Sequence, residues 1–220
     1  MANKSIIFML DTSGSMYHNG RYYALMDAMK KICEDVLPNV NSPRDIDLNT
    51  RILCFGGEVS WVHGNVDSGV PINEISWSDI TAKLPKPNGP TPLGSAIDEV
   101  CKTLYRDGSL VDPDQIPPAI CLICDGEPND DYERSYRNAI EMKLETEQQG
   151  LFARSKRVAI GIGSDYDPDI LQRFINIPKG IEDQNQNDYY HIRISDDKLD
   201  SLFLILSELI LPSARYTTEV

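Results

Sequence analysis

The 220-residue sequence has no apolar run near the roughly 20 residues that span a bilayer; its longest, 202–211, is broken by Ser207 and Glu208. Near the start, only five consecutive apolar residues precede Asp11, too few for a secretory core, and no small-residue cleavage site follows them. Positive charge is scarce. Lys and Arg number 21 against 34 Asp and Glu, giving a formal net charge of −13 and a pI near 4.6. Such a surface repels phosphate backbones and anionic lipid, which argues against nucleic-acid and membrane-surface roles. Cysteines are few and odd in number (Cys33, Cys54, Cys101, Cys121 and Cys124), and all lie in apolar surroundings. They read as packed, reduced thiols and predict a cytoplasmic protein. Cys121 and Cys124 spell CxxC, but within a strand-like run residues three apart point to opposite faces, which disfavours a redox or zinc pair. Repeats and low-complexity tracts are also lacking. What remains, 41% hydrophobic and 25% charged residues, is ordinary globular composition and excludes a disordered chain, collagen or a coiled-coil rod. At this length about 70% of the unfolded surface can be buried, so no disulfide or metal staple is needed for a core.

Short apolar runs alternate with helical patterns, the signature of a mainly parallel sheet between two helix layers. Residues 5–10 (SIIFML) read as a buried strand. Over 21–37, Tyr22, Leu25, Met26, Met29, Ile32, Cys33 and Val36 make one helical face, stopped by Pro38. Residues 48–55 and 59–62 flank Gly56-Gly57 and predict a hairpin, hence one antiparallel strand. Residues 67–86 are polar and turn-rich, and a proline-rich connection leads into a helix over 93–105. Further strands are expected at 120–124, 157–162 and 189–194, and helices at 132–149, 170–175 and 199–211. The expected fold is a three-layer αβα sandwich with a six-stranded, mainly parallel sheet and one antiparallel edge strand. One domain spans 1–211, and 212–220 form a tail.

The first strand runs directly into Asp11-Thr12-Ser13-Gly14-Ser15-Met16, and ligands of parallel sheets gather beyond the carboxyl ends of strands. One carboxylate and two hydroxyls in a D-x-S-x-S turn are hard oxygen ligands suited to Mg²⁺, Mn²⁺ or Ca²⁺. Asp and Ser equally suit a helix N-cap, and this motif alone does not separate the two readings. The strand at 120–124 ends in Asp125-Gly126-Glu127-Pro128, and the loop Gly89-Pro90-Thr91-Pro92-Leu93-Gly94 offers a proline-framed hydroxyl ahead of a helix. Three loops at one end of one sheet would each bring a hard ligand, which independent caps do not require.

Asp11-x-Ser13-x-Ser15, then Thr91, then Asp125-Gly126 resembles the metal-ion-dependent adhesion site of the von Willebrand factor type A family, and the likeness extends over residues 5 to about 211. IIFMLDTSGSM, GPTPLG and LICDGEPND further resemble the bacterial tellurium-resistance-associated, TerY-like type, whose members are small cytosolic proteins. The resemblance implies one divalent cation, Mg²⁺ before Mn²⁺ or Ca²⁺. Ser13, Ser15 and Thr91 would hold it, with Asp11 and Asp125 often acting through water. It also implies a non-catalytic protein–protein interaction module in which a Glu or Asp of a partner completes the metal's coordination. In that setting relatives are linked with kinases, phosphatases and stress-response assemblies. Cys124 stands where many relatives carry Ser or Thr, which reads as strand packing. The last helix moves on ligand binding in some relatives; here its broad apolar face is explained by packing alone.

Around the metal residues, Met16, Tyr17, His18 and Asn19 extend the first loop, and Glu127, Asn129 and Asp130 extend the third. These are candidate partner-binding rim residues, although an ordinary helix-entry loop would look the same. His63 and His191 adjoin strand runs and read as structural. Among enzymes, an aspartic protease is all-β, whereas helical periodicity follows both aspartates here. The better rival is a Mg²⁺-dependent, haloacid-dehalogenase-type phosphatase using Asp11. It needs a second Asp two residues on, where Ser13 stands. No Ser/His/Asp or Cys/His set suits nucleophilic catalysis. A structural subunit with an empty metal site is a third reading.

Overall fold

The computed structural model describes residues 2–40, 46–105, 116–125, 127–143, 149–163 and 166–175. Strands are β1 (Ala2–Asp11), β2 (Ile46–Gly56), β3 (Glu58–His63), β4 (Val70–Pro71), β5 (Ala119–Cys124) and β6 (Lys156–Gly161). Helices are α1 (Arg21–Lys31), α2 (Trp77–Thr81), α3 (Leu93–Leu104), α4 (Tyr132–Glu141), α5 (Leu151–Arg154) and α6 (Pro168–Phe174). The sheet order is β3-β2-β1-β5-β6, with β4 paired to β2. β1 runs parallel to β2 and β5, and β5 parallel to β6. The expected hairpin is present: β3 lies antiparallel to β2, turning at Gly57 with φ +70°. The two-residue β4, also antiparallel to β2, was not expected from the sequence. The strand expected at 189–194, the helix at 199–211 and the tail at 212–220 lie outside the described residues.

Alternation along the central strands builds two cores. Ile6, Phe8 and Leu10 of β1, with Ala119, Cys121 and Ile123 of β5, join Leu25, Ala28 and Met29 of α1 and Ile80 of α2 on one face. Ile7 and Met9, with Ile120, Leu122 and Cys124, join α3, α4, α5 and α6 on the other. A period of two on strands buried on both faces produces this split, and it makes three layers. It also sends Cys121 and Cys124 to opposite faces, and both are free thiols.

Two helix expectations are corrected. The stretch 21–37 is α-helical only to Lys31. A π turn over Ile32–Val36 and a 3₁₀ turn over Leu37–Asn39 follow, where Pro38 supplies no N–H to continue the ladder. The helix expected over 132–149 ends at Glu141, because Met142 is extended at ψ 126° and accepts the Gly150 N–H at 2.8 Å. Beyond Ile140 the sequence EMKLETEQQ has no apolar face at helical spacing to bury.

The chain leaving β1 enters α1 on one face, and the chain leaving β5 enters α4 on the other. A crevice opens where neighbouring parallel strands send their connections to opposite sides. It lies between Asp11, the last residue of β1, and Asp125, the first after β5.

Candidate metal centre

Asp11 is fully buried at the end of β1, opposite Phe55 of β2. Its Oδ1 accepts the Ser13 backbone N–H at 2.8 Å, which folds the Asp-Thr-Ser turn back on itself. The Ser13 and Ser15 hydroxyl oxygens lie 2.9 Å apart. Ser15 donates its hydroxyl proton to Asp125 Oδ1 at 2.9 Å. Its one proton being so used, Ser15 accepts from Ser13, and the protons run Ser13 to Ser15 to Asp125. Asp125 Oδ2 takes a charged hydrogen bond from Arg21 Nη1 at 2.7 Å. Hydroxyls of the first loop and a carboxylate of the third thus meet across 110 residues of sequence.

Thr91 arrives by backbone stitching. The Asn88 N–H donates to Thr12 O, the Gly14 N–H to Gly89 O, and the Gly57 N–H to Pro90 O, each at 2.9 Å. Gly89 sits at φ +66°, and a Cβ there would lie 2.6 Å from Gly57 Cα, so both the turn and the close approach require glycine. Asn129 then clamps Thr91: its Oδ1 accepts the Thr91 N–H at 2.7 Å, and its own N–H donates to Thr91 O at 3.0 Å. Asp130 reaches α3, accepting from the Gly94 N–H at 2.9 Å, the Ser95 N–H at 2.8 Å and the Ser95 hydroxyl at 3.0 Å. The helix N-terminus favours that negative charge. The second and third loops are therefore one unit.

The rim is mixed. Tyr17 is 69% exposed, and His18, Asn19, Glu127 and Asn129 are exposed too. Met16 is a correction: it is fully buried in the α1-side core and offers no surface to a partner. Its 3₁₀ turn points it inward before Asn19 (φ 54°) and Gly20 (φ 74°) bend the chain into α1. His63 is buried and donates from Nε2 to Thr50 Oγ1 at 3.0 Å, since Thr50 spends its own proton on Val70 O. His191 and Gly126 lie outside the described residues. Arg21 was not anticipated from the sequence. A cation in the first turn of a helix runs against the macrodipole, and that was its available signal.

Asp11 Oδ2 is buried with no hydrogen-bond partner among the described residues. Burial, with the charge of Asp125 adding to it, holds the Asp11 carboxyl well above the ordinary carboxylate range. An orphaned, desolvated carboxylate oxygen costs free energy that a cation would recover. The surrounding donors are carboxylates and hydroxyls, the hard oxygen set of Mg²⁺, Mn²⁺ and Ca²⁺, so the residues present fit a divalent ion. Among the described residues no group of three or more His, Cys, Asp and Glu side chains converges on a metal position.

Comparison with known proteins agrees with this architecture. The manganese-loaded TRAP protein of Plasmodium vivax superposes with a TM-score of 0.65 at 16% identity, over 94% of this chain and 73% of that one. Proximal thread matrix protein 1 of the mussel byssus, with a zinc-occupied MIDAS motif, gives 0.63 at 17%, over 94% and 48%. A von Willebrand factor type A protein of Catenulispora acidiphila gives 0.61 at 15%, over 94% and 42%. The chain thus spans less than half the length of the last two. No curated protein matches it in sequence. The von Willebrand factor type A domain pattern matches residues 5–196, and the chain belongs to that family.

Proposed function

We propose that this protein is a non-catalytic, divalent-metal-dependent interaction module that binds an acidic group of a partner protein. The observation that carries the reading is the buried, unpartnered Asp11 Oδ2 beside the Ser13–Ser15–Asp125 hydroxyl and carboxylate chain. Ser13, Ser15 and Thr91 would hold the ion with Asp11 and Asp125. The bound ion would supply a positive field and a coordination position open to an outside carboxylate. The chain's own part is preorganisation: the Asp11–Ser13 turn, the loop stitching and the Asn129 clamp fix the donors before any ion arrives. Exposed Tyr17, His18, Asn19 and Glu127 would meet the partner around the ion. Support comes from the metal-loaded TRAP and mussel-thread structures, which share the fold. Mg²⁺ is our first choice of ion, because the donors are all hard oxygens. One domain over 1–211, the TerY-like, tellurium-resistance setting and a cytoplasmic location are finer proposals. The setting rests on IIFMLDTSGSM, GPTPLG and LICDGEPND, and the location on the reduced, buried thiols. No helix among the described residues is long and apolar enough to cross a membrane.

The test is thermal unfolding of metal-stripped protein titrated with Mg²⁺, Mn²⁺ and Ca²⁺, for wild type and Ser13→Ala. An ion that binds only the folded state stabilises by about 2.7 kcal/mol at 100 times its Kd. The expected result is a saturable rise in Tm that Ser13→Ala loses. Equal rises in both proteins would indicate general screening of the acidic surface and defeat the reading.

A further inference from the structure

Arg21 is placed at odds with its own helix. It is the first residue of α1, where the macrodipole disfavours a cation, yet its side chain is only 7% exposed and its guanidinium sits on Asp125 Oδ2 at 2.7 Å. Asp125 is itself fully buried, and its other oxygen is taken by Ser15. A buried ion pair repays its desolvation only with close geometry and further hydrogen bonds, and this one has both. The pair lies inside the candidate metal centre, because Ser15 joins Asp125 to Ser13.

From this geometry we infer that Arg21 is a built-in counter-cation that weakens metal binding and strengthens binding of the acidic ligand, so that the two occur together. The inference rests on the metal-dependent reading above. The charge balance is direct. Counting these three side chains, Asp11 and Asp125 bring two negative charges and Arg21, whose interactions extend beyond Asp125, one positive, so a divalent ion leaves the three with an excess of one positive charge. Without Arg21 the same ion would leave the two carboxylates neutralised. A neutral centre holds its ion tightly and attracts a carboxylate weakly; a centre with excess positive charge does the reverse. Arg21 therefore moves affinity from the ion to the ligand, and an acidic ligand relieves the repulsion between ion and guanidinium. By linkage, each then raises affinity for the other. Arg21 is a positioning and charge-setting residue acting through Asp125. It is not assigned a contact with the ligand.

The experiment measures Mn²⁺ binding by water-proton relaxation, with acetate as the carboxylate probe displacing metal-bound water, on wild type, Arg21→Gln and Arg21→Lys. Arg21→Gln is expected to bind Mn²⁺ about tenfold more tightly and acetate several-fold more weakly. Arg21→Lys keeps a positive charge at this position and is expected to bind Mn²⁺ closer to wild type than to Arg21→Gln. Metal-free Arg21→Gln should also melt lower than wild type, because Asp125 loses its partner, and Mn²⁺ should raise its Tm by more than it raises the wild type's. Unchanged or weakened Mn²⁺ binding in Arg21→Gln, with wild type binding normally, overturns this inference alone. A tenfold gain in Arg21→Lys overturns it as well, since geometry and not charge would then be responsible. Absence of Mn²⁺ binding in all three proteins overturns the metal reading itself.

Discussion

Glycine at two positions decides whether the three loops can meet. A Cβ on Gly56 would lie 2.1 Å from the carbonyl carbon of Thr12, and one on Gly89 would lie 2.6 Å from Gly57 Cα. Gly89 also sits at φ +66°, in the left-handed region. That conformation costs a substituted residue about 1–2 kcal/mol, and forced overlap adds a comparable amount. Gly89→Ala is therefore expected to destabilise by about 2–4 kcal/mol in urea unfolding and to weaken metal-induced stabilisation, because Thr91 lies two residues on. A stability within 0.5 kcal/mol of wild type, about the spread of neutral surface changes, would show that the stitching is dispensable. At this scale the positions of Asp11 at the end of β1 and Asp125 just after β5 were legible, because a polar cluster directly after an apolar run marks the carboxyl end of a strand. Arg21 was not, because a charged residue at a helix start looks like part of a solvated face. Burial of that charge is a three-dimensional fact. Met16 misled for the opposite reason: its place in a polar loop concealed a turn that packs it under α1.

Between elements, α3 has Pro92 at its N-cap and no side-chain cap from its own chain segment. Asp130 does that work from the loop after β5, with three hydrogen bonds to Gly94 and Ser95. Asp130→Ala should cost about 1–2 kcal/mol, the usual range for a lost cap plus its dipole interaction, and Asp130→Asn less. A purely local cap would lower stability alone. Because Asp130 adjoins Asn129, which clamps Thr91, Asp130→Ala is also expected to reduce metal-induced stabilisation in a Mg²⁺ titration. Full retention of the metal response would show that the two loops act separately. The longer described elements and their order were readable from periodicity, since strands buried on both faces give unbroken apolar runs and α3 and α1 give clean stripes, whereas β4, α2 and α5 are too short to show a period. The end of α4 and the π turn after α1 were not readable either. Each depends on which backbone groups find partners, and composition does not record that.

Across the molecule, the sheet divides five free thiols between two cores: Cys33, Cys54 and Cys121 on the α1 side, Cys124 and the half-buried Cys101 on the α3 side. Burial pushes the Cys33 and Cys121 thiols up to about 12 and Cys54 higher still. Thiolate is the reactive form, so at pH 8 these groups are inert on two grounds, access and ionisation. The opposite-face placement of Cys121 and Cys124 also denies the CxxC any disulfide without breaking β5. Cys54 of β2 and Cys121 of β5 lie in the core between the sheet and α1, so exposing them requires that core to open. Their labelling by a thiol reagent should therefore track global unfolding, with both sites reacting at one common, denaturant-dependent rate. Cys101, the one partly exposed thiol, on α3, should react first on access alone, since burial pushes its thiol up to about 12 as well. Mass spectrometry of peptides after timed labelling resolves each site. Under the metal-dependent reading, Mg²⁺ should slow Cys54 and Cys121 by the same factor, since an ion held by loops from β1, β5 and the α3 connection stabilises the folded state as a whole. Rapid native labelling of Cys121, or Mg²⁺ protection confined to one of the two, would mean that the layers open independently. The crevice between β1 and β5 would then not be the rigid platform that preorganised metal donors need.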